Sequence, residues 1–334
     1  MTASYLVTVF SNQSYDETFL RAAGDDLQWR FISLPLGRDT AHLAAGSQAI
    51  CAFVNDDLSA EVLQQLHELG IHHVALRCAG FNNVDLATAN QLGFRVARVP
   101  AYSPEAVAEH CVAMMLCLNR KLHKAYNRVR DDNFSLQGLL GFNLHGKTVG
   151  LIGTGRIGMA TARILHGFGM QLLCYDPQPQ PAALPPAARY VDLATLYRES
   201  DVISLHCPLT PDSHHLINQA ALAQMKTGVM LINTSRGGLI DTKAVIEALK
   251  SKKIGLLGLD VYEQEADLFF KDLSAEVIAD EVFQRLLTFP NVLITGHQAF
   301  FTEEALTQIS QITLLNLRAM ASGAACVNEL TGNH

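Results

Sequence analysis

Short apolar runs of strand length alternate along this chain with segments whose apolar positions recur at helical spacing, the pattern of parallel sheets with crossover helices. In the first hundred residues the runs are YLVTVF, WRFISL, AICAFV, HHVALR and FRVARV. Between them, SAEVLQQLHELG is an amphipathic helix that stops on Gly70, a residue suited to the left-handed turn that ends helices. A second series runs through KTVGLIG, QLLCYD, ARYVD, DVISLHCP, VMLINTS, GLLGLDVY and NVLITGH. The two series are joined by RVPAYSPEAVAEHCVAMMLCLNRKLHKAYNRVR. There Pro100 closes a strand, and Ser103-Pro104-Glu105 opens a helix with an N-cap, a first-turn proline and an early acid. The spacing predicts one helix continuing to about Arg130, longer than a crossover requires and suited to bridging two domains.

The last periodic segment, TEEALTQISQITLLNLRAMASG, is one amphipathic helix behind Thr302, with no further strand series after it. A lone terminal helix needs a surface, and the first βα unit offers one. We therefore expect two doubly wound parallel-sheet α/β domains with a cleft between them. Residues 1–100 and 298–334 would form a discontinuous first domain, with 101–297 inserted, and hinges near Pro100-Ala101 and Thr295-Gly296. On the long helix, Met114, Met115 and Leu118 form an apolar stripe that needs burial. This predicts a homo-oligomer, dimer or tetramer, with a core inside one chain as the alternative.

Composition narrows the function classes. The 334 residues are 49% hydrophobic and 17% charged, enough to bury two cores. A net charge of -7 with acids and bases intermixed argues against a nucleic-acid partner. The opening MTASYLVTVFSNQ lacks a basic n-region and a long apolar core, so no signal peptide is expected. The most apolar helix carries Glu109 and His110, so no membrane span is expected either. Seven cysteines form no C-x-x-C pair, which fits reduced core thiols in the cytoplasm and gives no sign of a metal site.

The most informative stretch is TVGLIGTGRIGMATARILHGFGMQLLCYD. Gly153, Gly155 and Gly158 make G-x-G-x-x-G between a strand and a helix, where backbone N–H groups and the helix dipole receive a pyrophosphate. Arg156 adds positive charge, and Asp176 ends the next strand about 20 residues on. A carboxylate there accepts from a ribose diol and repels a 2′-phosphate, which selects NAD over NADP. A glycine triplet alone is often only a turn; the strand before it, the helix after it and the acid make it a dinucleotide site.

In open α/β sheets chemistry gathers at the carboxyl ends of strands. Those ends here read HCPLT, NTSRGGLID, LDVYEQE and TGHQAF. Arg236 can grip a small carboxylate with its fork. His297 is the side chain best able to exchange a proton near neutrality, and Glu265 could fix its tautomer. Taken singly, each has a bland reading: a solvated arginine, an acid in an exposed acidic loop, a structural histidine. Their placement at successive strand ends of one dinucleotide sheet favours the functional one.

With these residues in view the chain resembles the NAD-dependent D-2-hydroxyacid dehydrogenases over nearly its whole length. The resemblance is carried by RCAGFNNVDL, VPAYSPEAVAEH, GLIGTGRIG, SDVISLHCPLT, NTSRGGLID, GLDVYEQE and TGHQAF, and YEQEADLFF and GHQAF look like the fermentative D-lactate branch. It implies a flavodoxin-like substrate domain beside a Rossmann NAD-binding domain, with reversible reduction of pyruvate by NADH. It further implies that Arg236 binds and polarises the substrate, Glu265 orients His297, and His297 is the acid/base. Ala79 and Gly80 would offer backbone N–H groups to the carboxylate, Tyr102 would touch the substrate, and Phe300 would line the pocket. Arg156, Ile157 and Asp176 would contact the adenosine and pyrophosphate. His206, Cys207 and Pro208 would pass near the ribose, and Thr234 and Asp260 would approach the nicotinamide. Gly296 stands where many relatives have proline, which would leave that hinge looser. A reductase of another 2-keto acid and a non-catalytic NAD-sensing module are the alternatives.

Overall fold

A computed structural model describes Tyr5–Gly332 and divides the chain into two compact units, 1–103 with 301–334, and 104–300. The first unit is built on five parallel strands, β1 (Leu6–Val9), β2 (Gln28–Phe31), β3 (Ala49–Ala52), β4 (His73–Leu76) and β5 (Arg95–Ala97), in the order β2-β1-β3-β4-β5. This is the flavodoxin-like order. The central β3 reads AICA and is buried at every position, as a strand covered on both faces must be. One layer of that cover is the terminal helix Glu303–Ala321, capped by Thr302 Oγ1 accepting from Ala305 N. Its Leu314, Leu317 and Met320 join Val7, Val9 and Leu20 in one core.

The second unit carries seven parallel strands: β6 (Thr148–Ile152), β7 (Gln171–Tyr175), β8 (Arg189–Tyr190), β9 (Val202–Leu205), β10 (Val229–Asn233), β11 (Ile254–Leu259) and β12 (Val292–Ile294). Their order is β12-β11-β10-β9-β6-β7-β8. Counting from β6, this is the Rossmann order with one strand added at the edge. The order reverses between β6 and β9, and the carboxyl ends of those two strands flank the crevice where such sheets bind ligands.

Two expectations about the long helix need correction. It is two helices, Pro104–Arg120 and Leu122–Arg130, broken where Lys121 takes a left-handed conformation with φ 52° and ψ 39°. The stripe expected to face a second copy is buried within the chain: Met114 is 2% exposed, Met115 0% and Leu118 2%. Met115 and Leu118 pack with Leu151, Leu172 and Ile232 of the sheet, each side chain contributing about 1.5–3 kcal/mol by burial. Helical periodicity reports that a face is covered and cannot say by what. The face that is uncovered lies further on: Leu122, Tyr126 and Val129 are 55%, 63% and 52% exposed. Their i, i+4, i+7 spacing puts them on one side of the second helix.

Candidate active site

The glycine fingerprint is built by close backbone approach. Gly153 has φ 95°, and a Cβ there would lie 2.6 Å from the backbone of His206 and Cys207. A Cβ at Gly158 would lie 2.1 Å from the Gly153 carbonyl oxygen, so helix Arg156–Gly167 can sit this close to the β6 turn only without it. Around Gly155, in contrast, a Cβ would meet nothing within 4 Å, so the helix N-terminus it caps is open. A cavity of about 390 Å³ lies over these strand ends, lined by Gly153, Gly155, Asp176, His206, Cys207 and Pro208 among others. Arg156 and Ile157 occupy the first helical turn.

Asp176 immediately follows β7 and is anchored. Its Oδ2 accepts from Thr154 N at 2.7 Å and Thr154 Oγ1 at 3.0 Å, and its Oδ1 from Gln178 N at 2.9 Å. Partial burial pushes this carboxyl up, but the hydrogen bonds from Thr154 and Gln178 prevail and hold it below the ordinary range. It is therefore ionised at neutral pH and keeps acceptor capacity, since a carboxylate offers about four lone-pair sites. His206 lies on the cavity floor, where burial lowers its imidazole to about 4, so it is neutral. Its Nε2 meets Ser204 Oγ at 2.9 Å. The buried His206 Nδ1 has no partner among the described residues, and Thr234, just after β10, shares a side-chain hydrogen bond with the buried Cys111. Open helix N–H groups and an ionised acid after the second strand fit a dinucleotide.

Arg236, Glu265 and His297 follow β10, β11 and β12, which are neighbours in the sheet and so about 4.8 Å apart in strand spacing. Asn233, fully buried at the end of β10, folds the Arg236 loop: its Nδ2 donates to Arg236 O and its Oδ1 accepts from Ser235 N. Ser235 Oγ donates to Cys207 O at 2.6 Å and ties that loop to the end of β9. Arg236 Nη1 donates to Ser235 O at 2.7 Å. Glu265 Oε2 accepts from Tyr262 N at 2.9 Å, and its Oε1 lies 2.8 Å from His297 Nδ1. The carboxylate can only accept, so Nδ1 carries the proton. Phe270 and Phe300 set their rings 5.6 Å and 6.5 Å from that of His297.

The His297 turn is organised by Asp260. Asp260, placed by the resemblance at the nicotinamide end, is 0% exposed. Its Oδ1 accepts from Thr295 Oγ1 (2.5 Å) and Gln298 N (2.9 Å), its Oδ2 from Ala299 N (2.8 Å), and His110 Nε2 is 3.3 Å away. Its backbone oxygen accepts from His297 N at 2.7 Å. His297 is thereby held at φ 54°, a left-handed conformation uncommon for a residue with a side chain. This buried carboxylate pins the residues after Gly296, and a Cβ on Gly296 would touch nothing within 4 Å.

Burial pushes the Asp260 carboxyl up, yet the bonds from His110, Thr295, Ala299 and Gln298 outweigh it and hold it low. A carboxyl with a folded pKa below its unfolded one stabilises the fold above the unfolded value, and that stability is lost as pH falls through the folded one. Asp260→Asn keeps one acceptor oxygen and sets an amide donor opposite the N–H of either Gln298 or Ala299. It should cost roughly 3–5 kcal/mol and remove this acid-side dependence, read by urea melts at pH 7 and at about pH 3, below the ordinary carboxyl value. Unchanged stability at both would show that the network does not hold the turn.

The remaining expected residues sit in the first unit or beside the dyad. Ala79 and Gly80 follow β4, where Ala79 O accepts from Arg98 Nη1 at 2.9 Å and Gly80 O from Cys78 Sγ at 3.3 Å. The loop starts behind the buried Arg77, whose Nε pairs with Asp16 at 3.2 Å. Tyr102 lies after β5, partly exposed, and Phe300 is 8% exposed.

A model of the D-isomer specific 2-hydroxyacid dehydrogenase NAD-binding domain matches residues 112–299. The chain belongs to that family. Over 326 residues it is 58% identical to D-lactate dehydrogenase of Escherichia coli K12, covering 97% of this chain and 99% of that one. The apo-structure of the E. coli D-lactate dehydrogenase superposes with TM-score 0.90 at 55% identity, covering 98% and 100% of the two chains. A solved pyruvate reductase of Chlamydomonas reinhardtii superposes with TM-score 0.92 at 45% identity, over 98% and 99%. As a member of the family the chain is an NAD-dependent dehydrogenase with the two-sheet α/β architecture of its relatives.

Proposed function

We propose that this dehydrogenase reduces pyruvate reversibly to D-lactate. The observation that carries the reading is the Glu265–His297 pair, with Nδ1 committed to the carboxylate at 2.8 Å and Nε2 left for the substrate. NADH, when bound, supplies the hydride that reduces the keto carbon. The Arg236 guanidinium holds the substrate carboxylate by paired hydrogen bonds and draws charge from the carbonyl. His297 gives its proton to the carbonyl oxygen in reduction and takes it back in oxidation. Glu265 fixes the tautomer and orientation of the ring, and Asp260 fixes the turn beneath it. Ala79 and Gly80 add backbone donors for the carboxylate, Tyr102 a substrate contact, and Phe300 with Phe270 an apolar wall suited to a methyl group. His206, Cys207 and Pro208 border the ribose on this reading, with Thr234 toward the nicotinamide end.

High identity to a D-lactate dehydrogenase and likeness to a pyruvate reductase support this choice of substrate. A rate panel over pyruvate, hydroxypyruvate, glyoxylate and 2-ketoisocaproate tests it. Pyruvate should have the highest kcat/KM, by about tenfold or more over the branched acid, because one misfitting group in an apolar pocket is worth that much. A bulkier keto acid reduced fastest would favour a different reductase, and no NADH oxidation with any acid would favour a binding module.

The chain acts as a homo-oligomer in the cytoplasm on this account. Seven free cysteines suit a reducing compartment, and no helix among the described residues is long and apolar enough to cross a membrane. The exposed Leu122, Tyr126 and Val129 stripe continues into Phe134, Leu136 and Leu140, which are 71%, 81% and 90% exposed. A patch of this kind marks an interface. A sedimentation mass equal to one chain would contradict it.

A further inference from the structure

Outside the residues already described, two histidines and a glutamate converge beside the loops that carry Arg236 and Glu265. His214 and His215 close the loop after β9, which is braced by Ser213 Oγ donating to Pro208 O at 2.7 Å. His215 sits at φ 51° with its N–H on Gly238 O at 2.9 Å. This lays its ring on that of His214, with centroids 3.9 Å apart and planes 24° from parallel. Its Nε2 lies 2.6 Å from Glu263 Oε1. The other Glu263 oxygen accepts from Thr242 Oγ1 at 2.9 Å. One nitrogen of each ring and one carboxylate oxygen all lie within 4.8 Å of one another.

We infer that His214, His215 and Glu263 form a binding site for a divalent transition metal ion, best matched to Zn²⁺. Two imidazoles and a carboxylate are a donor set that zinc accepts at about 2.0–2.2 Å, with water completing the shell. Two nitrogen ligands argue against magnesium or calcium, which prefer oxygen. Thr242 plays the part of the outer hydrogen-bond partner that holds a ligating carboxylate in place. An ion must lie in the plane of each ligating imidazole, so binding would swing the two rings out of their stack, a rotation their exposure leaves room for.

The ion would work as a clamp. Glu263 N lies 2.4 Å from where a Cβ on Gly237 would stand, so this backbone packs against the residue after Arg236. Glu263 is also two positions before Glu265. Zinc bound here would tie the loop after β9 to the segments that hold the Arg236 fork and the Glu265 carboxylate. The reading does not depend on the identity of the keto acid. It also departs from the sequence, in which no metal spacing is visible because Glu263 is 48 positions from His215.

The test is calorimetric titration of the chelator-stripped full chain with ZnCl₂, followed by thermal melts with and without the ion. One Zn²⁺ should bind per chain and raise Tm by about 3 °C or more at saturating ion. His214→Ala and Glu263→Gln should each weaken binding roughly tenfold or more, with circular dichroism unchanged. Cys117→Ser serves as the control, because Cys117 Sγ and His123 Nδ1, 3.4 Å apart, are a competing soft pair. Binding that survives both substitutions, that vanishes only with Cys117→Ser, or that does not occur at all overturns the inference.

Discussion

His297→Gln is expected to lower kcat for pyruvate reduction roughly 10³-fold or more while leaving NADH affinity within about twofold. Glutamine can still donate a hydrogen bond from its amide, but it has no proton to give to the carbonyl oxygen. A loss of 10³ corresponds to about 4 kcal/mol of transition-state stabilisation. The NADH prediction follows from geometry: the glycine turn, Asp176 and His206 border a cavity at β6, β7 and β9, whereas His297 follows β12 at the far edge of the sheet. Stopped-flow turnover together with NADH fluorescence titration separates the two quantities. Weakened NADH binding with normal turnover would remove His297 from the chemistry.

Arg236→Lys is expected to raise KM for pyruvate and reduce kcat/KM by about 10²-fold. An ammonium keeps the charge but cannot offer two parallel N–H donors to a carboxylate. Losing one charge-assisted hydrogen bond costs about 1.5–3 kcal/mol, or roughly ten- to a hundredfold. The loss of carbonyl polarisation adds to it. The loop itself should survive, because Asn233 and Ser235 fold it through bonds that do not use the guanidinium. Steady-state kinetics in pyruvate at saturating NADH would show the change, and an unchanged KM would mean that another group grips the carboxylate.

The parts of this molecule that were legible in the sequence are those encoded locally. The central strands lie within apolar runs that end in glycine, proline or polar residues, because a strand buried on both faces must be apolar along its length, whereas the edge strands Gln28–Phe31 and Arg189–Tyr190 carry polar side chains. The G-x-G-x-x-G turn is likewise local, since Gly153 and Gly158 answer to contacts within one strand–turn–helix unit and the adjoining β9 end. What stayed hidden depends on distant partners. Asp260 looks like any acid at a strand end, and only the fold brings Thr295, Gln298 and Ala299 to its oxygens. The break at Lys121 has no proline or glycine to announce it. Met114 and Leu118 show the same periodicity whether a sheet or a second copy covers them. Asn233 was missed as well, and the signal was present: a polar residue closing a fully apolar strand, immediately before a functional loop.

Hydride transfer to pyruvate with His297 as proton donor is the central claim, and its product is a single enantiomer. The direct measurement is NADH consumption by the purified chain with pyruvate, followed by chromatographic resolution of the lactate formed. The account predicts NADH oxidation matched mole for mole by D-lactate. L-lactate as the product, or no NADH oxidation with pyruvate, would contradict it.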